Sequence, residues 1–185
     1  MISPFSETKR WNPKGGKGVS GGLTYNGYDI HFGYQWSYIK PPSLKDRLLT
    51  KLGRCKPFSI DTARLDLLQY ETVTAARFTI PPYSGILCVT QERFDMPADV
   101  TGIWAGKSTY ARIFMIVPIS PLESGWSGYL TGEIVNPNPY PMTVYAEQPL
   151  GQIMFHRVQP SSGYDGAYSD QAARPVGPLQ NTEVD

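Results

Sequence analysis

The chain has 185 residues, of which 41% are hydrophobic and 18% charged, a composition typical of a folded globular protein. Its formal charge of +1 leaves no global positive field that would hold DNA or RNA. Two isolated cysteines and two histidines are too few for a disulfide framework or for most zinc sites. Because no apolar run reaches the ~18 residues of a membrane helix, we expect a cytoplasmic protein without a membrane partner. The low net charge likewise leads us to expect no nucleic-acid partner.

The first half of the chain predicts short strands around an irregular insertion. Residues 1–22 are polar and glycine-rich, which predicts an N-terminal loop region. Residues 23–39 alternate loosely and are rich in tyrosine and isoleucine, which predicts one or two strands. We expect a surface insertion over residues 41–70, with a short helix at residues 44–49.

The second half predicts further strands separated by turns. Runs of strand length occupy residues 72–80, 85–90, 101–105, 113–119, 129–135, 142–146 and 151–158. The run at residues 113–119 is almost continuously apolar, which predicts a buried strand, whereas residues 160–185 predict a loop-like tail. Many short strands and no long helical period predict one all-β domain over residues 1–185, built as a sandwich, barrel or jelly roll.

Three polar segments lie close together in sequence, at residues 106–112, 121–128 and 133–136. The first supplies a lysine, two hydroxyls and an arginine in a stretch that tolerates a short helix. Such a group suits phosphate oxygens, through charge-assisted hydrogen bonds and free backbone N–H groups. A solvated turn with incidental charge is the alternative interpretation of the same residues.

Glu133 lies inside a segment that otherwise predicts a buried strand, residues 130–135. Buried carboxylates are rare unless they are paired. An outward-facing strand position or an ion pair would account for Glu133 without any chemistry. If the side chain instead faces a pocket, burial raises its pKa and suits it to proton transfer.

These segments together resemble the core motifs of dCTP deaminases. The resemblance is carried by residues 106–112 (GKSTYAR), 121–123 (PLE), 125–129 (GWSGY) and 133–136 (EIVN), with weaker similarity at residues 1–5 (MISPF), 23–30 (LTYNGYDI), 80–84 (IPPYS) and 151–155 (GQIMF). It spans nearly the whole chain in the same order. Residues 106–112 alone are shared with dUTPases, whereas the strand with Glu133 favours the deaminases.

The resemblance implies a fold, an assembly and a reaction. The implied fold is a distorted β-barrel or jelly roll of the dUTPase-like type with short helices, assembled as a homotrimer with active sites between subunits. The implied reaction is the deamination of dCTP to dUTP and ammonia. Glu133 would be the general base and proton shuttle for a water that attacks C4 of cytosine, and Ser108 and Arg112 would position that water and Glu133.

The resemblance also implies a set of substrate-binding residues. Phosphates would be held by Lys107, Ser108 and Thr109 of a neighbouring subunit. Glu123 would lie near the deoxyribose 3′-hydroxyl, and the pocket would be completed by Trp126, Gln152, Tyr168 and Gln171. Mg²⁺ would enter only as the counterion of the triphosphate, a role that suits its preference for phosphate oxygens. The chemistry would need no protein-bound metal, since the H-x-E and P-C-x-x-C motifs of zinc deaminases do not occur in the sequence.

The sequence departs from the family pattern at two places. The tail reads AYSDQ at residues 167–171, where the family carries a segment similar to KYQGQ. Losing a lysine and gaining Asp170 predicts weaker attraction for a triphosphate, and aspartate is a less permissive turn residue than glycine. The run after Arg112 contains Phe114 and Pro118, where the family favours glycine and asparagine, and this proline removes a backbone donor.

Two other functions are compatible with the same motifs. One is a dUTPase or a bifunctional enzyme that continues to dUMP, in which Glu123 would activate a water at the α-phosphate. The other is a non-catalytic nucleotide sensor, because a fold does not determine a function. The altered tail favours the sensor, and the intact set of Ser108, Arg112 and Glu133 favours the deaminase.

Overall fold

The computed structural model describes residues 1–15 and 18–179, which form antiparallel strands with little helix. The strands are β1 (Ile2–Ser3), β2 (Lys9–Trp11), β3 (Val19–Leu23), β4 (Tyr28–Ile39), β5 (Tyr70–Thr74), β6 (Arg77–Ile80), β7 (Ser84–Asp95), β8 (Val100–Gly106), β9 (Ser120–Leu122), β10 (Ser127–Asn136), β11 (Met142–Tyr145) and β12 (Pro149–Arg157). The helices are α1 (Leu44–Lys51), a 3-10 turn (Leu65–Leu67) and α2 (Ser108–Ala111). The all-β prediction is confirmed.

Strand β4 is the junction of a curled ten-stranded sheet. Its first residues pair with β3 and β12, and its later residues pair with β5 and β7. The register with β7 shifts between Phe32 and Trp36, and such irregularities increase the local twist of a strand. Along the sheet the order is β1-β7-β4-β12-β8-β9, with β10 added to β7, while β6 and β11 form a separate pair.

The placement of β10 on the core determines where Glu133 points. Alternate residues of β10 are buried, so Thr131 and Glu133 lie on the opposite face from Gly132 and Ile134. A Cβ added at Gly132 would lie 2.5 Å from the ring of Phe32 and 2.7 Å from that of Trp104. Glycine therefore lets the strand lie directly on these two buried rings, with Glu133 turned away from them.

The prediction of a buried strand at residues 113–119 is wrong. Ile113, Phe114 and Ile119 are exposed, and Ile116 makes only an isolated bridge with Val135 of β10. Phe114 has a left-handed backbone (φ 61°), which breaks an extended conformation. A continuous apolar run has no period of its own, so it did not distinguish a core strand from an exposed apolar segment.

The loop prediction for residues 1–22 is wrong in part, because β1, β2 and most of β3 lie there. Residues 16 and 17 of that segment lie outside the described residues. The short helix in the insertion is confirmed as α1, which begins with a capping box formed by Ser43 and Asp46. The described part of the tail, residues 160–179, is irregular as predicted, and residues 180–185 lie outside the description. Within residues 1–15 and 18–179, no helix is long and apolar enough to cross a membrane.

Candidate active site

A cavity of about 600 Å³ lies over the outward face of β10, and we call it the Glu133 cavity. Its polar lining includes Glu133, Glu123, Thr131 and Gln171, and its walls are largely aromatic, formed by Tyr70, Trp126, Tyr164 and Tyr168. The volume lies within the range of sites for small molecules and cofactors. A few convergent polar groups among aromatic walls are typical of a site that orients a flat heterocyclic ligand.

Glu133 is a partly buried carboxylate of this cavity. Its Oε2 atom is buried and has no hydrogen-bond partner among the described residues. Burial raises the pKa of the Glu133 carboxyl above its ordinary value, and a backbone hydrogen bond offsets the effect only in part. A buried carboxylate oxygen without a protein partner is costly, so it indicates a group kept for a ligand or a water.

The C-terminal tail forms one side of the Glu133 cavity. Trp126 Nε1 donates to the backbone oxygen of Tyr168 at 2.8 Å, and the Tyr129 amide donates to that of Gln171 at 3.0 Å. Further along, the Val176 amide donates to Thr131 Oγ1 at 3.0 Å. The tail thus runs beside β10, on the side not paired with β7. It brings Tyr168 and Gln171, both predicted site residues, to the same cavity as Glu133.

Asp170, the unusual residue of the tail, has both a conformational and an electrostatic explanation. Its backbone is left-handed (φ 47°), the region that glycine adopts most easily and that aspartate tolerates better than most residues. Its carboxylate accepts a hydrogen bond from Arg93 Nη2 at 2.8 Å. The pair offsets part of the negative charge that replaces a glycine, although exposed pairs of this kind contribute little to stability.

The predicted phosphate-binding residues form a second group. They are not among the described residues that line the Glu133 cavity. Ser108, Thr109 and Arg112 are exposed on and just after α2. Lys107, at the start of this helix, is almost buried and forms an ion pair with Asp29. Gln152 donates to the other oxygen of Asp29 at 3.1 Å.

The structure therefore divides the predicted site residues into two groups. Around the Glu133 cavity it brings together Glu133, Glu123, Trp126, Tyr168 and Gln171, with Glu123 exposed and Trp126 buried. Near α2 it places Lys107, Ser108, Thr109, Arg112 and Gln152. Along the described ranges there is no group of three or more His, Cys, Asp and Glu side chains that could hold a metal ion.

Several residues of these two groups were missed from the sequence. Tyr70 and Leu87 line the Glu133 cavity from β5 and β7, and nothing in their local pattern distinguishes them from other strand residues. Asp29 lies in the segment 23–30 that carries part of the family resemblance, so a signal existed. A buried aspartate in a strand of tyrosine and isoleucine is unusual unless it is paired.

Comparison with known proteins assigns the chain to a family. A family model described as dCTP deaminase-like matches residues 15–158. The dCTP deaminase of Herpetosiphon aurantiacus is 34% identical over 177 residues, which cover 96% of this chain and 86% of that protein. The dCTP deaminase of Acidobacterium capsulatum is 37% identical over 155 residues, which cover 84% of this chain and 75% of that protein.

A solved structure shows the same fold. The 2′-deoxycytidine 5′-triphosphate deaminase of Agrobacterium tumefaciens aligns with a TM-score of 0.52 and 18% identity. The alignment covers 74% of this chain and 40% of the Agrobacterium chain. The family model matches most of the chain, and the match with the Herpetosiphon enzyme covers nearly all of it. The protein therefore belongs to the dCTP deaminase-like family.

Proposed function

We propose that this protein is a hydrolase that converts dCTP to dUTP and ammonia, as a step of deoxynucleotide metabolism in the cytoplasm. The observation that carries the proposal is Glu133, whose Oε2 atom is buried and has no hydrogen-bond partner among the described residues, at a cavity of suitable volume for a nucleoside. The curated relatives named dCTP deaminase support the choice of substrate.

In the proposed reaction Glu133 acts as the general base. It takes a proton from a water that forms a bond to C4 of cytosine and passes this proton to N3. It then transfers the second proton of that water to the amino group, so the bond from C4 to the amino nitrogen breaks, ammonia leaves and the C4 carbonyl forms. A carboxyl whose pKa is raised by burial is a stronger base than an exposed one, which suits it to accepting a proton and returning it. Ser108 and Arg112 would position the attacking water and Glu133.

The other residues of the Glu133 cavity would hold the nucleoside. Trp126 and Tyr168 provide flat apolar surface for the base and sugar. Glu123 is exposed and carries an acceptor suited to the deoxyribose 3′-hydroxyl. Gln171 can donate or accept a hydrogen bond at the tail side of the cavity, and Thr131 Oγ1 donates to its Oε1 at 3.4 Å.

The phosphates would be bound by Lys107, Ser108 and Thr109, with Gln152 and Lys107 both in contact with Asp29. Mg²⁺ would accompany the triphosphate as a counterion. Because these residues lie apart from the Glu133 cavity of their own chain, we propose a homotrimer in which each site combines the Glu133 cavity of one subunit with α2 of a neighbour. The exposed Ile113, Phe114 and Ile119, which follow α2, support a subunit contact, since an apolar patch of this kind is usually covered.

Product analysis tests the proposal directly. The purified protein is incubated with dCTP and Mg²⁺, and ammonia, dUTP, dUMP and pyrophosphate are followed over time. We expect ammonia and dUTP in equal amounts without pyrophosphate. Pyrophosphate release would need a carboxylate that activates a water at the α-phosphate. Among the described lining residues Glu123 is the one carboxylate besides Glu133, and we assign it to the deoxyribose 3′-hydroxyl instead.

Each other product pattern identifies one alternative. Pyrophosphate and dUMP appearing as fast as ammonia would show a bifunctional enzyme. Pyrophosphate from dUTP, with no ammonia from dCTP, would show a dUTPase. Saturable nucleotide binding without any product would show a sensor and would contradict the proposed catalysis.

A further inference from the structure

Asp29 of β4 is completely buried and is the centre of a polar network next to α2. It lies opposite Gly22 of β3 and Gln152 of β12 in the register of the sheet. Gln152 Nε2 donates to Asp29 Oδ1 at 3.1 Å, and Ser20 Oγ donates to Oδ2 at 2.8 Å. Lys107, which follows β8, forms an ion pair with the same Oδ2. One carboxylate therefore connects groups from three other strands or strand ends.

Lys107 uses all of its donors within this network. Besides the ion pair, its Nζ donates to the backbone oxygen of Ser20 at 2.7 Å and to Ser20 Oγ at 3.0 Å. A lysine ammonium has three donors, so the position of Nζ is determined by Asp29 and Ser20. Only 9% of the Lys107 side chain is exposed, and an ammonium buried to this extent requires an opposite charge nearby.

We infer that Asp29 is a positioning residue for the substrate phosphates, acting through Lys107 and Gln152. The inference rests on the proposed function, since both of these residues belong to the proposed substrate-binding set. Asp29 neutralises and orients Lys107, which directly precedes Ser108 and Thr109 in the chain, and it fixes the amide of Gln152 on the neighbouring strand. While Asp29 holds the Nζ atom of Lys107 in place, the donors available to a phosphate oxygen are those now bonded to Ser20. The phosphate oxygen would therefore replace an oxygen of Ser20 as the acceptor.

The variant Asp29→Asn tests this role with little change of shape. The asparagine can still accept from Gln152, but it leaves the Lys107 charge without a counterion, so Nζ moves toward solvent. We expect KM for dCTP to rise by about 10- to 100-fold, the effect of losing one charge-assisted hydrogen bond to a phosphate. We expect kcat to change less than KM, because the side chain of Asp29 contacts Ser20, Gln152 and Lys107, and none of these is proposed to take part in the proton transfer. Asp66→Asn, which removes a carboxylate from an exposed ion pair with Arg64, is the matched control and should leave both constants unchanged.

A second readout does not depend on turnover. Acetylation by acetic anhydride, followed by mass spectrometry, measures how accessible Lys107 is. In the wild type and in Asp66→Asn this lysine should react slowly, and in Asp29→Asn it should react at least about tenfold faster, since the ion pair that buries it is lost. Unchanged protection of Lys107 in Asp29→Asn would overturn the inference.

A double-mutant cycle separates positioning from a general contribution to the fold. If Asp29 acts through Lys107, Asp29→Asn with Lys107→Met should raise KM no more than Lys107→Met alone, whereas independent effects would multiply. Multiplying effects would overturn the inference.

Thermal melting identifies variants that lose the fold. If Asp29→Asn does not fold, the variant Ser20→Ala replaces it, because it removes the hydroxyl that both Asp29 and Lys107 contact. We expect Ser20→Ala to raise KM by a smaller factor and to make the acetylation of Lys107 faster. Wild-type values of KM and of the acetylation rate would overturn the inference.

The outcomes also distinguish this inference from the proposed function. A wild-type protein that deaminates dCTP, with an unchanged KM in a folded Asp29→Asn variant, would refute the positioning role alone. A wild-type protein that releases no ammonia would refute the proposed function. In that case dCTP affinity, measured by calorimetry, replaces KM, and an unchanged affinity in Asp29→Asn would refute the positioning role as well.

Discussion

Replacing Glu133 by glutamine removes the proposed proton acceptor while keeping the size of the side chain. Because Oε2 has no hydrogen-bond partner among the described residues, the substitution breaks no ion pair and leaves no partner stranded. We therefore expect the loss to fall on the proton transfer itself, about 10²- to 10⁴-fold in kcat. At about 1.36 kcal/mol per tenfold change, this range corresponds to roughly 3–5 kcal/mol of transition-state stabilisation.

The stability of the same variant provides an independent check with a definite sign. Burial raises the pKa of Glu133 in the folded chain above its unfolded value. A carboxyl of this kind contributes stability at acid pH that is lost as the pH rises through the folded pKa. Glutamine does not ionise, so Glu133→Gln should melt at the same temperature as the wild type or higher near neutral pH. Any such advantage should shrink in acid, where Glu133 is protonated.

The assay measures ammonia release in steady state and dCTP binding by calorimetry in the inactive variant. Binding should stay within a few-fold of the wild type, because the cavity keeps its shape. Glu123→Gln is the matched control, since it changes an exposed carboxylate of the same cavity and should affect KM more than kcat. Turnover of Glu133→Gln within a few-fold of the wild type would refute the assignment, as would a Glu123→Gln variant that is the more impaired of the two.

Three further predictions concern pH, assembly and the tail. The acidic limb of the kcat/KM profile should lie above 4.5, the ordinary pKa of a glutamate, because burial raises the pKa of Glu133, and a limb at or below that value would contradict its role as base. If sites are shared between subunits, mixing Glu133→Gln chains with Lys107→Ala chains should restore part of the activity, whereas no recovery, or a monomer by light scattering, would exclude shared sites. Arg93→Ala should raise KM by about 1.5- to 5-fold at low salt, because the exposed pair with Asp170 is lost, and an effect that persists at high salt would rule out this electrostatic cause.

The local pattern of the sequence was enough to predict the all-β fold and the strand that contains Glu133. Short runs, frequent turns and the alternating burial along β10 depend on residues that are adjacent in sequence. These features are the same whichever strand becomes the partner. The residue types of segments 106–112 and 133–136 suggested chemistry but left a solvated turn or a paired glutamate open, and the family resemblance favoured the chemical interpretation. The same local reasoning failed at residues 113–119, where an apolar run lies exposed on the surface.

The grouping of the site residues was decided only by the tertiary structure. Glu133 and Gln171 lie at one cavity because the tail runs along β10, and Lys107 and Gln152 meet at Asp29 because β12 lies between β4 and β8. These pairings join residues that are distant in sequence, and no periodicity within one segment records which strand will be its neighbour. The sequence alone therefore predicted which residues are suited to chemistry, and the long-range pairing of strands determined which of them lie together.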